Sequence, residues 1–122
     1  MKKLLLILVV AIGCNSKPEL PKNILPQQKM QAIMLDLIQV DGRIANALPA
    51  DSLIRLPASR YRMYQQVLAL HGTNKAAFQK SLQYYEQNPP LLKEVIDAMD
   101  ENLNRQINDT AKRAKPQPPK PM

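Results

Sequence analysis

Between residues 27 and 114 the apolar side chains return at intervals of three and four and never settle into alternation, which confines the chain to helices. Over residues 27–48, Met30, Ile33, Met34, Leu37, Ile38, Ile44, Ala45 and Leu48 make one helical face. The Leu48-Pro49 step ends it, because proline disfavours helical geometry in the residue before it. Residues 49–57 read as a connector, with Leu53, Ile54 and Leu56 expected to pack on the bundle. A second helix starts at Pro57 or Ala58 and sets Tyr61, Tyr64, Val67 and Leu68 on one side up to His71, where Gly72 suits a left-handed stop. Thr73 can cap a third helix presenting Phe78, Ser81, Leu82 and Tyr85, which closes before Asn88-Pro89-Pro90. Asn88 is then the natural cap and Pro89 or Pro90 the natural start of a fourth. Its seam is Leu92, Val95, Ile96, Met99, Leu103 and Ile107, and helix is expected to about Ala114 with packing ending earlier. The expectation is an all-α fold, a small antiparallel bundle of three to four helices with a disordered N-terminal spacer and C-terminal tail.

The first fourteen residues carry a different message. Lys2 and Lys3 precede nine apolar residues at 4–12, and Ala11-Ile12-Gly13 places a small residue directly before Cys14, the sole cysteine. The run is too short for a membrane-spanning helix, which needs about 20 apolar residues, so it reads as a processed signal ending in a lipobox. An ordinary signal peptide would leave an idle unpaired thiol in an oxidising compartment; acylation of Cys14 gives that thiol a role. Each buried methylene contributes roughly 0.8 kcal/mol, so two or three acyl chains hold a protein on a membrane where one does not. The expected organisation is a signal at 1–13, a lipidated cysteine and proline-rich spacer at 14–26, a helical domain at 27–114 and a Pro/Lys-rich tail at 115–122. The stretch 15–28 is expected to be extended, and the tail to have polyproline character.

The net charge of +7 is a matter of placement. Between Lys29 and Asn104 eight bases face eight acids, so the folded part is neutral and the excess sits in the flanks. A basic patch with interleaved aromatics is missing, and nucleic acid is not an expected partner. After Cys14 the chain reads Asn15-Ser16-Lys17-Pro18-Glu19, with one acid where surface-exported lipoproteins tend to carry a cluster, which favours a periplasmic face.

The pattern as a whole resembles the bacteroidete lipoproteins catalogued as domain of unknown function 4296. The residues that carry the resemblance are Pro26, the pair Asp36 and Asp41, Tyr64 with Val67-Leu68, Gly72, Phe78 with Ser81, Tyr84 and Tyr85, and Asn88-Pro89. It implies a fold and a compartment and supplies no activity.

Among candidate site residues, Asp41 lies about 20 degrees from Met34 and Leu48 on a helical projection, within the apolar stripe. A carboxylate there must be paired, hydrogen-bonded or at a frayed surface. Tyr64, Tyr85, Arg60 and His71 are the donors available, and a ligand-binding role is the alternative. Asp36 falls on the opposite, polar face and is expected to be solvated. His71 is expected to serve the helix end, where a protonated ring suits the dipole. Ser81 has no nucleophile elbow and reads as a small residue allowing close helix approach. Tyr84 has a claim to a partner surface, while Tyr85 belongs largely to the core. One histidine and scattered acids give neither a metal site nor a catalytic constellation, so no cofactor beyond lipid on Cys14 is expected. The chain reads as an outer-membrane lipoprotein, non-catalytic, binding a protein of the envelope. A lipid or peptide carrier is the alternative, to be favoured by a roomy apolar cavity; an envelope hydrolase is disfavoured.

Overall fold

The computed structural model describes residues 19–114, in which four α-helices and one 3₁₀ segment account for the folded chain and no strand occurs. The signal at 1–13, Cys14 and the tail at 115–122 lie outside the described residues. Helix α1 runs over Gln27–Ala45, α2 over Pro57–Leu70, α3 over Lys75–Glu86 and α4 over Pro89–Ala114, with the 3₁₀ segment at Pro49–Arg55 between α1 and α2. The fold is all-α, as the periodicity requires.

Chain direction follows from a few contacts. Asp41 meets Tyr64 and Asp36 meets His71, so α2 runs antiparallel to α1. Ser81 and Tyr85 of α3 meet Leu25, just before α1 begins, so the far end of α3 lies at the start of α1. Gly72 makes the turn between α2 and α3. It adopts φ 63°, its N–H bonds the Ala69 carbonyl, and the Thr73 N–H bonds the Leu68 carbonyl. Helix α4 runs parallel to α1: the Gln27 side chain reaches Glu94 at 2.8 Å and that of Gln31 reaches the Ala98 carbonyl at 3.0 Å.

Helix α1 is thus central, and it has a core on each side. Met30 and Leu35 pack with Ile24, Tyr85, Val95 and Met99. Ile33 packs with Val67 and Leu68 of α2. Leu25 and Phe78 touch both clusters. Two cores explain why the single expected stripe on α1 is only partly right. Leu35 is buried although it lies off that stripe, while Ile38 is 50% exposed and Leu48 lies open beyond the helix.

Several expected local features are displaced. Helix α1 stops at Ala45, three residues before Leu48, where the Asn46 side chain and N–H both bond the Gly42 carbonyl. In the connector, Leu53 and Leu56 are exposed rather than packed; the segment is held by polar bonds, Arg55 to the Ala47 carbonyl and Ser59 to that of Leu53. Asn74, not Thr73, caps α3: its side-chain oxygen accepts from the Ala77 N–H, while the Thr73 N–H closes α2. The Asn88 side chain donates to the Tyr84 carbonyl and closes α3. Pro89 and Pro90 bring no N–H to the first turn of α4, so less capping is needed there.

The spacer is also shorter than expected. Residues 20–25 are not extended: the Ile24 N–H bonds the Pro21 carbonyl in a turn, and Ile24 is buried in the core. At the other end, Ile96 and Ile107 are exposed although they lie on the expected seam, and α4 leaves the bundle after Leu103. The last residues of its 26 are exposed on every side.

Gly42 lies inside α1 with helical geometry, and a Cβ there would meet nothing within 4 Å. Gly42→Ala should therefore raise stability by about 0.5–1 kcal/mol through helix propensity and a less flexible unfolded chain. A higher urea midpoint checks this, and a lower one would show a packing role for the glycine.

Candidate functional site

An apolar groove of about 310 Å³ lies between α1, α2 and α3. Leu37 of α1, Leu68 of α2 and Phe78 and Leu82 of α3 line it, with Tyr61 and Tyr64 of α2 at its side. The helical repeat accounts for this set: Tyr61, Tyr64 and Leu68 stand three and four apart on α2, and Phe78 and Leu82 four apart on α3. The α2 face carrying Tyr61, Tyr64 and Leu68 and the α3 face carrying Phe78 and Leu82 meet at this groove, with Leu37 of α1 on its third side. Tyr61 is 57% exposed, and the Lys75 ammonium lies 5.6 Å from its ring centroid, a cation held on an aromatic face at the rim.

Asp41 closes one side of Tyr64. The Tyr64 hydroxyl donates to it, at 2.7 Å from each carboxylate oxygen, and Arg60 Nε lies 3.4 Å away. Two of the four candidate donors thus find Asp41. Its side chain is nonetheless 46% exposed, so the acid sits at the border of the apolar surface and not inside it. Burial first, then the bond to Asp41, raises the Tyr64 phenol above its ordinary pKa of 10.0, with Arg60 opposing. Tyr61 and Tyr64 also flank a shallower hollow with Arg55, Pro57 and Arg60.

Asp36 departs from its expected solvation. His71 Nε2 lies 2.7 Å from Asp36 Oδ2, and this contact ties the end of α2 to α1. His71 does stand at the helix end as expected, but its ring reaches across to α1. Asp41→Ala should cost about 1 kcal/mol, since Tyr64 loses its acceptor while water replaces part of the bond. Asp36→Ala should cost less, about 0.5 kcal/mol, because the half-exposed Asp36 carboxylate makes one side-chain contact where Asp41 makes two. Urea midpoints order the two variants, and an Asp36→Ala loss exceeding that of Asp41→Ala would reverse the assignment.

Ser81 and Tyr85 form a buried clamp. Ser81 Oγ accepts from the Leu25 N–H at 2.9 Å and donates to the Ala77 carbonyl at 2.8 Å, and the Tyr85 hydroxyl donates to the Leu25 carbonyl at 2.8 Å. Both side chains are fully buried. Ser81 is therefore a bonded core polar group as well as a small one. Tyr84 is half-buried and stacks edge-on against Tyr85, with ring centroids 5.9 Å apart, so it lies away from the groove.

Residues 21–109 match the family described as Domain of unknown function (DUF4296). The chain belongs to this family. No curated protein and no solved structure matches it. The DUF4296 match begins at Pro21, which agrees with the packing of residues 20–25 into the core, and ends well inside the exposed part of α4. Among the described residues no helix is long and apolar enough to cross a membrane, and no group of three or more metal-ligating side chains gathers.

Tyr61, Lys75, Phe78 and Leu82 were not joined into a site by periodicity alone. A signal for it does exist in the chain. Residues 52–85 contain five bases, Arg55, Arg60, Arg62, Lys75 and Lys80, and not one acid, whereas Glu86, Glu94, Asp97, Asp100 and Glu101 follow in the next stretch. The neutral total conceals this segregation.

Proposed function

We propose that this DUF4296 chain is a lipid-anchored, non-catalytic interaction or accessory module of the cell envelope. Acyl groups on Cys14 tether it to the outer membrane, the domain faces the periplasm, and the α1–α2–α3 groove engages a protein partner. The lipobox supports the tether. The groove carries the rest: an open apolar surface with an exposed tyrosine at its mouth has the composition of an interaction site. A lipid carrier needs room enclosed between its helices, and the apolar space here is an open groove of about 310 Å³. The His71 ring is bonded to Asp36, which gives a hydrolase an orienting pair without an aligned nucleophile.

Placing photoreactive benzoylphenylalanine at Tyr61 of the full chain in intact cells tests this reading, with the same group at exposed Asn104 as the reference. Discrete protein adducts are expected from position 61 and not from 104. Identical adduct patterns, or none from 61, would overturn it.

A further inference from the structure

The partner's chemistry can be read from the charges around the groove, an inference that rests on the interaction reading above. Leu37, Leu68, Phe78 and Leu82 give a floor without charge, and about 310 Å³ suits one or two large apolar side chains. The rim is cationic: Lys75 stands on Tyr61, and Arg55 and Arg60 border the adjoining hollow. Of these cations Arg60 is paired with Asp41 and Arg55 shares its 3₁₀ segment with Asp51, which makes Lys75 the principal rim charge. Asp41 holds Tyr64 and Arg60, and Asp36 holds His71. From 52 to 85 the chain supplies no other carboxylate.

We propose that the groove receives a segment of a partner protein in which an apolar side chain is flanked by carboxylates. The apolar group enters against Phe78 and Leu82, and a carboxylate meets the Lys75 ammonium beside Tyr61. Tyrosine is among the side chains on which binding energy concentrates at protein interfaces. Complementary charge adds selectivity and encounter rate. The same charges disfavour the chain's own tail, whose Lys115 and Lys120 would meet Lys75 and Arg60 with like charge.

The test uses the full-length lipoprotein in neutral phosphatidylcholine nanodiscs and fluorescence anisotropy. The probe is a labelled octapeptide alternating glutamate with leucine and phenylalanine; a second peptide carries glutamine in place of every glutamate. The glutamate peptide should bind at least tenfold more tightly, and its affinity should fall with added salt. Lys75→Glu should weaken it tenfold or more and Tyr61→Ala by about tenfold, while Lys75→Arg and the remote Arg105→Glu preserve it. Equal affinity for the two peptides overturns the proposal even if a variant fails to fold, since that comparison needs only the parent chain. Unchanged binding by a folded Lys75→Glu chain overturns it as well. Self-association abolished by Lys75→Glu, or binding only when phosphatidylglycerol is added to the discs, would assign the face to a second copy or to lipid. Protein adducts from position 61 together with indifference to peptide charge would leave the interaction reading standing and remove this one.

Discussion

Tyr85→Ala is expected to remove a large share of the domain's folding stability. Tyr85 is completely buried against Met30, Val95 and Met99, at the meeting of α1, α3 and α4. Removing a buried aromatic side chain costs about 3–5 kcal/mol in lost transfer energy and residual cavity. A domain of this size is stable by only about 5–14 kcal/mol. The loss has a second component, since the tyrosine hydroxyl is the donor to the Leu25 carbonyl and with Ser81 fixes residues 20–25 on the bundle. Tyr85→Phe isolates that part and should cost about 1–2 kcal/mol, and Ser81→Ala a similar amount through the unmet Leu25 N–H.

The same phenol predicts behaviour in alkali. Burial first, and the neighbouring Tyr84 second, raises the Tyr85 pKa above 10.0. The folded state therefore favours the neutral phenol. This stabilisation is fully present below the unfolded value and is lost as pH rises through the higher folded value. Urea midpoints should fall above about pH 10, and Tyr85→Phe should flatten that fall without abolishing it, because Tyr64 is shifted in the same direction. Parallel alkaline slopes in parent and Tyr85→Phe would rule out the buried phenol as a contributor.

Cys14→Ser should abolish fatty-acid labelling altogether and move the protein out of the lipidated membrane fraction. The thiol is the only one in the chain, so no neighbouring residue can substitute for it. Uncleaved precursor should accumulate, since cleavage in this class of signal follows acylation of the cysteine. The domain should fold regardless, because the described core begins beyond Cys14. Metabolic labelling with a radioactive fatty acid reads the result, and equal incorporation by mutant and parent would remove the anchor from the proposed function.

Helices were legible wherever one periodic face met one partner. Val67 and Leu68 on α2, Ser81 and Tyr85 on α3, and Val95 and Met99 on α4 all lie on the faces their spacing indicates, and all are buried. Legibility failed where a helix had two partners or none. Helix α1 is packed on two sides, so Leu35 is buried outside the stripe and Ile38 is open within it; Ile107 repeats the seam of α4 beyond the end of the bundle. Asp41 and Asp36 illustrate the same limit. A projection along one helix placed the first among apolar groups and the second in water, but α2 supplies Tyr64 and Arg60 to one and His71 to the other.

By itself the sequence determined that this chain is helical, where its helices turn, that Gly72 must be left-handed, and that it belongs with other DUF4296 chains. Such features depend on residues close together in the chain: spacing, proline geometry and the conformational freedom of one glycine. Tertiary structure alone decided that α4 runs parallel to α1 and that residues 20–25 are clamped by Ser81 and Tyr85. It also decided that Leu37, Tyr61, Lys75, Phe78 and Leu82 share one groove. These depend on which apolar faces pair across long stretches of chain, and helical periodicity gives each face its direction without choosing its neighbour.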